Sequence, residues 1–200
     1  MKKALMIVSV LLVAVISTAC INNMAVQELN NKAAEFMQKG DYESAMNRLQ
    51  ASLDLDSTMY ETYYNLGVAA INAQKFDKAI DALEGGIKIK PDFADFYYSL
   101  GIAQSEKANE IIDKAEENLN EDAATAENVN ERNVVMEAEK RTEASEARKE
   151  AVELKKAAVA NLTKYLEMKP DATDKETIEA LIEESNAFIS GDNAPSAGQE

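Results

Sequence analysis

Tyr63-Tyr64-Asn65-Leu66-Gly67 returns thirty-four residues later as Tyr97-Tyr98-Ser99-Leu100-Gly101. A fixed period of that length marks stacked helix pairs, each of which buries its apolar face only against its neighbours. Ala79, Leu83 and Pro91 follow Tyr63 by sixteen, twenty and twenty-eight residues, on what the spacing predicts to be a second helix. The composition agrees. With 46% hydrophobic residues, seven Gly and three Pro in 200, the chain suits one moderate core built from helices.

On these residues, 60–93 resembles a tetratricopeptide repeat (TPR). The resemblance implies an all-α array of about three helix-turn-helix repeats, over 26–59, 60–93 and 94–172. It also implies that the glycine lets two helices approach, that Ala79 fits their crossing, and that Pro91 ends the second helix. The first repeat is weaker. Ala33 takes the place of Gly67, Phe36 that of Ala70, Tyr42 that of Phe76, and Ala45 and Leu49 those of Ala79 and Leu83, but Lys32 stands for Leu66 and Ser57 for Pro91. Gly40-Asp41 marks its turn, where positive φ favours glycine.

The third unit opens on pattern at Ala94 and closes on pattern with Ala158, Leu162, Tyr165 and Pro170, yet about forty-five residues are added between its halves. From Ile102 to Lys169 there is neither Gly nor Pro, so local propensity favours helix throughout. One apolar seam runs Leu100, Gln104, Ala108, Ile111, Ala115, Leu119, and another Ala144, Ala147, Ala151, Leu154, Ala158, Leu162, Tyr165. Steps of three and four suit packed helices. The expectation is a long antiparallel hairpin extension, with an insert over about 106–156 that reverses between Asn118 and Asn133. Asn118 with Glu121, or Asn128 with Glu131, would start its second arm as a capping-box-like pair. The competing reading is one uninterrupted helix. Thr173-Asp174-Lys175-Glu176 reads as a capping box opening a C-terminal capping helix over 173–189, with Ile178, Leu181, Ile182 and Phe188 at helical spacing. Residues 190–200 are expected to be a disordered tail.

At the N-terminus, Met1-Lys2-Lys3, an apolar run from Ala4 to Ile16 and Ser17-Thr18-Ala19-Cys20 have the form of an export signal over 1–19. Cys20, the sole cysteine, resembles the lipidated residue of the bacterial lipoprotein lipobox, although Ser17 stands where that family has Leu, Val or Ile. The alternative is a lone thiol at the end of an ordinary signal or uncleaved anchor. The resemblance implies acyl chains on Cys20, a short tether over 20–25, and a lipid-anchored protein of the bacterial cell envelope. Ile21 follows the cysteine instead of an inner-membrane-retaining aspartate, which favours the outer membrane, periplasmic side, in a Gram-negative host.

The net charge of −15 argues against binding a phosphate backbone, so no nucleic acid is expected as a partner. Histidine and tryptophan are absent, which removes the commonest general base and metal ligand. No catalytic motif, metal site or cofactor is expected. In the TPR family the first helices of the repeats line a concave groove that receives peptides. Carried over position by position, that groove comprises Asn30, Ala34, Met37, Tyr64, Val68, Ile71, Tyr98 and Ile102, unless neighbouring helices cover some of them. Chaperone-binding members clamp a terminal carboxylate with Lys and Arg. Here the corresponding places hold Asn30, Asn31, Asn65, Asp95 and Ser99, with Glu61 and Asp95 nearby. An apolar peptide or helix with basic flanks is the expected protein partner in the envelope. The second reading is a structural spacer or oligomerisation platform that self-associates through the hairpin.

Overall fold

The computed structural model describes residues 23–123 and 131–191. The expected signal, Cys20, the Asn128 cap and the tail beyond Gly191 lie outside these residues. Among the described residues there are seven helices and no strand: α1 over 23–38, α2 Tyr42–Leu55, α3 Tyr60–Asn72, α4 Phe76–Ile89, α5 Ala94–Ala123, α6 Glu131–Met168 and α7 Lys175–Ser190. They form two compact units, one up to Asp92 and one from Phe93, where the sequence suggests a single span over 26–189. The long α5/α6 pair buries its own seam and carries α7.

In the first unit, α1 is already helical at residue 23, so residues 23–25 belong to the helix and not to a tether. Val26 and Ala33 are its buried positions, whereas Met24 is 72% exposed and lies off the core face. Asp41 caps α2, its carboxylate accepting from the Ser44 N–H at 3.1 Å. The α3/α4 pair is drawn together at Gly67, where a Cβ would stand 2.5 Å from Leu83 Cγ. Ala69, Ala70, Ala79 and Leu83 are fully buried around that approach. Helix α4 stops at Ile89, one residue before the Lys90-Pro91 step that removes the next backbone donor.

In the second unit, the same approach closes α5 against α6: a Cβ on Gly101 would meet Leu162 Cγ at 2.7 Å and the Ala158 carbonyl at 3.2 Å. Gln104, Ala108, Ala151, Ala158 and Leu162 line the buried seam. The pairing is antiparallel, with Asp95 joined to Lys169 at one end and Lys140 Nζ 3.5 Å from the Asn118 carbonyl towards the other. Two long helices, not one, therefore occupy the inserted region. Helix α5 continues through Asn118 to Ala123, so Asn118 and Glu121 are interior to a helix and form no cap. Gln104 and Asn161 replace the buried Ala70 and Ala82 of the shorter pair and bond to each other at 2.8 Å.

Leu154 was expected in the seam, but it is only half-buried. Lys155 takes the core place at 2% exposure. Its Nζ donates to Ser105 Oγ at 2.8 Å and stands 5.8 Å from the Phe188 ring of α7. Burial pushes the ammonium below its ordinary pKa, against the opposing pull of Glu184 and Glu106. Helix α7 starts at Lys175, and its cap residue Asp174 makes no side-chain capping bond. The expected capping box would have Thr173 as its cap, one residue before the observed one, and the Asp174 carboxylate accepts instead from Tyr165 Oη at 3.5 Å. Among the described residues no buried side-chain polar atom lacks a partner.

The α1/α2 and α3/α4 turns of the first unit share a left-handed residue thirty-four positions apart, Gly40 at φ +75° and Gln74 at φ +56°. Left-handed backbone costs a residue bearing a Cβ about 1–2 kcal/mol, and glycine almost none. Nothing lies within 4 Å of a Cβ built on Gly40, so the cost of replacing it is purely conformational. Urea denaturation should therefore show Gly40→Ala losing about 1 kcal/mol and Gln74→Gly gaining a smaller amount.

Candidate functional site

The first-helix surfaces of the first unit meet at Asn30. Its Nδ2 donates to the Val26 carbonyl and to Ser52 Oγ, both at 3.0 Å, and its Oδ1 accepts from Thr62 Oγ1 at 3.2 Å. Ser52 and Thr62 are 0% and 1% exposed. One amide thus ties α1 to α2 and α3. Asn30 was expected to contact a partner, but its hydrogen-bonding groups are already committed, and it acts as the rigid floor of what lies beside it.

That neighbour is an open groove of about 380 Å³ lined by Gln27, Asn30, Asn31, Met59, Glu61, Thr62 and Asn65. Gln27 and Asn31 stand one turn apart on α1, and Glu61 and Asn65 one turn apart on α3, so both helices present polar groups to the same hollow. Gln27 Nε2 is held by Asn23 Oδ1 at 2.9 Å. Of the eight groove residues expected from the sequence, only Asn30 lines this hollow. Ala34 is exposed, and Met37, Tyr64, Val68 and Ile71 are half-buried on the same two helices. Tyr98 and Ile102, also half-buried, belong to the second unit, where the Tyr98 ring packs 5.3 Å from that of Tyr165. Asn31, Asn65 and Glu61 were singled out only as places lacking clamp cations. Gln27, Met59 and Thr62 were missed, although the four-residue spacing of Gln27 and Asn31 was a readable sign of two amides on one helical face.

A second concavity, of about 220 Å³, lies on the hairpin between Ile111, Ala115 and Leu119 on α5 and Ala144 and Ala147 on α6, with Lys114, Lys140 and Glu143 on its rim. It is mostly apolar because the alanine seam brings the arms together without covering their larger neighbours. Leu119 remains 38% exposed. No group of three Asp, Glu or Cys side chains fit to hold a metal ion occurs among the described residues.

Residues 36–104 match the tetratricopeptide repeat family. The match runs from the end of α1 into α5. Solved structures carry the likeness further along the chain. The TPR domain of Arabidopsis OM64 superimposes with a TM-score of 0.55 at 13% identity, covering 82% of this chain and 96% of its own. The first TPR of Spaghetti (RPAP3), bound to the HSP90 peptide SRMEEVD, gives 0.55 at 13% identity, covering 82% and 94%. The second TPR domain of human RPAP3, in complex with the HSP70 peptide SGPTIEEVD, gives 0.54 at 14% identity, covering 81% and 98%. At such identities the likeness is one of fold: an all-helical chain resembling a TPR array. No curated protein matches the sequence significantly. The TPR fold typically serves protein interaction and not catalysis.

The division between floor and lining is measurable. Asn30→Ala should cost about 1–3 kcal/mol in urea denaturation, because Ser52 and Thr62 are left buried with lost partners. Asn31→Ala, on the exposed side of the groove, should stay within about 0.5 kcal/mol of the parent.

Proposed function

We propose that this protein is a membrane-anchored adaptor that holds a protein partner in the bacterial cell envelope, with the α1/α3 groove as its docking site and acyl chains on Cys20 as its anchor. The observation that carries the docking reading is the α1/α3 groove itself, open, amide-lined and braced from beneath by Asn30. The TPR folds of similar shape with peptides bound give it further support. No helix of the described residues is long and apolar enough to cross a membrane. Acylation contributes about 0.8 kcal/mol per buried methylene, and more than one chain holds a protein stably at a bilayer. Ile21 after Cys20 favours the outer membrane, periplasmic side, in a Gram-negative host.

Two variants separate anchor from groove. Cys20→Ser should move the protein from the membrane to the soluble fraction on cell fractionation. Asn31→Ala with Asn65→Ala should leave it membrane-bound and lower recovery of one specific partner about tenfold in a pull-down from envelope extract. Equal recovery of every partner would remove the groove from the proposal.

The hairpin furrow favours a second reading, a spacer or oligomerisation platform. An antiparallel helix pair with half-exposed Ile111, Ala115, Ala144 and Ala147 gains apolar burial if another hairpin joins it. Sedimentation of the detergent-solubilised full chain then shows a species larger than the monomer, which Ala115→Glu with Ala144→Glu returns to monomer. A monomer in both forms discards this reading.

A further inference from the structure

We infer that the α1/α3 groove takes an extended, basic segment of its partner, the opposite charge to the acidic peptides seen on the similar folds. The inference rests on the adaptor reading and concerns what that site selects. Of the seven lining residues only Glu61 is charged, and none is Lys or Arg. A segment such as SRMEEVD would therefore bring carboxylates to a hollow that offers them no cation and one repelling carboxylate. A Lys or Arg side chain finds in Glu61 a partner for a charge-assisted hydrogen bond.

Glu61 keeps the capacity for that bond. The phenol of Tyr60 bonds to its carboxylate and has its own pKa raised by it. A single phenol does not exhaust the acceptor positions of an ionised carboxylate. The net charge of −15 adds a long-range attraction for cations, strongest at low salt.

The extended conformation follows from the remaining lining. Gln27, Asn31 and Asn65 each offer both a donor and an acceptor, and a peptide main chain offers the same two groups. In a helical ligand those groups are already bonded internally, whereas in an extended one they are free to pair with side-chain amides. Asn30 and Thr62 are bonded to each other beneath the site, so they fix its shape and do not compete for the ligand. Met59 supplies an apolar surface for a flanking side chain.

The test is selection of random twelve-residue displayed peptides on the immobilised full chain in detergent, with Glu61→Gln and Glu61→Lys in parallel and circular dichroism confirming that both variants fold as the parent does. Peptides retained by the parent should be enriched in Lys and Arg, those on Glu61→Gln should lose that bias, and those on Glu61→Lys should shift toward Asp and Glu. A synthetic peptide from the parent selection should bind Glu61→Gln about tenfold more weakly by fluorescence anisotropy, and bind the parent more weakly as salt rises from 50 to 300 mM. Enrichment of acidic or uncharged peptides by the parent, or the same preference on all three forms, overturns the basic assignment and leaves the adaptor reading standing. No enrichment above background on any form overturns both.

Discussion

Two bare patches of helix hold this architecture together. At Gly67 and at Gly101 the backbone of one helix lies so close to a leucine of the next that a methyl group in place of the hydrogen would overlap it, at 2.5 and 2.7 Å. Interaxial distance in a helix pair is set by the side chains at the contact, and glycine permits the shortest. Once that spacing is fixed, only small residues fit at the crossing, which is why Ala79 and Ala158 occupy equivalent, fully buried places. The ring one turn before each glycine is constrained as well. Tyr63 lies on bare Gly85, and Tyr97 lies 4.2 Å beneath the ammonium of Lys164, its counterpart in the longer pair. Equivalent geometry is thus met by different chemistry, with a cation over a π face where the shorter pair has a naked backbone.

The helix pairs were legible in the sequence because their determinants are local and repeated: a glycine, an alanine and a proline at fixed offsets. The hairpin was legible for a related reason, since sixty-odd residues without Gly or Pro leave helix as the only economical state. What escaped was decided by side chains reaching across elements. Apolar periodicity favoured Leu154 over Lys155, because no pattern in α6 alone reveals Ser105 and Phe188 waiting on two other helices. The start of α7 was misplaced by one residue, with Asp174 and not Thr173 at the cap, and Asp174 meets Tyr165 nine residues upstream. Asn118 is a good cap residue in isolation, but the arm of α5 still had a partner in α6 at that point and continued as helix.

The site shows the same division. Carrying family positions onto this chain names mostly other side chains than those that line the hollow between α1 and α3, because a hollow is defined by which atoms are left over after the core is satisfied. Asn30 looked like a polar contact for a ligand, yet three hydrogen bonds consume it. Asn31, its neighbour in sequence, points to the open side and lines the groove. A shared fold fixes where a groove can be and leaves its charge free to vary. The replacement of cationic positions by amides and a carboxylate is where this chain has a character of its own.

The equivalent contacts also differ in how far along the chain they reach. Gly67 meets a leucine sixteen residues away, but Gly101 meets one sixty-one residues away. Closing the longer loop costs roughly 1 kcal/mol more entropy before any reward is collected, and rates of folding fall as contacts become less local. Within the hairpin the cost falls with distance from Gly101, since Asn118 and Lys140 meet across only twenty-two residues. The glycine contact that sets the spacing of α5 and α6 is thus the one that loop entropy opposes most, and the arms beyond it hold their ends together more cheaply than the base does.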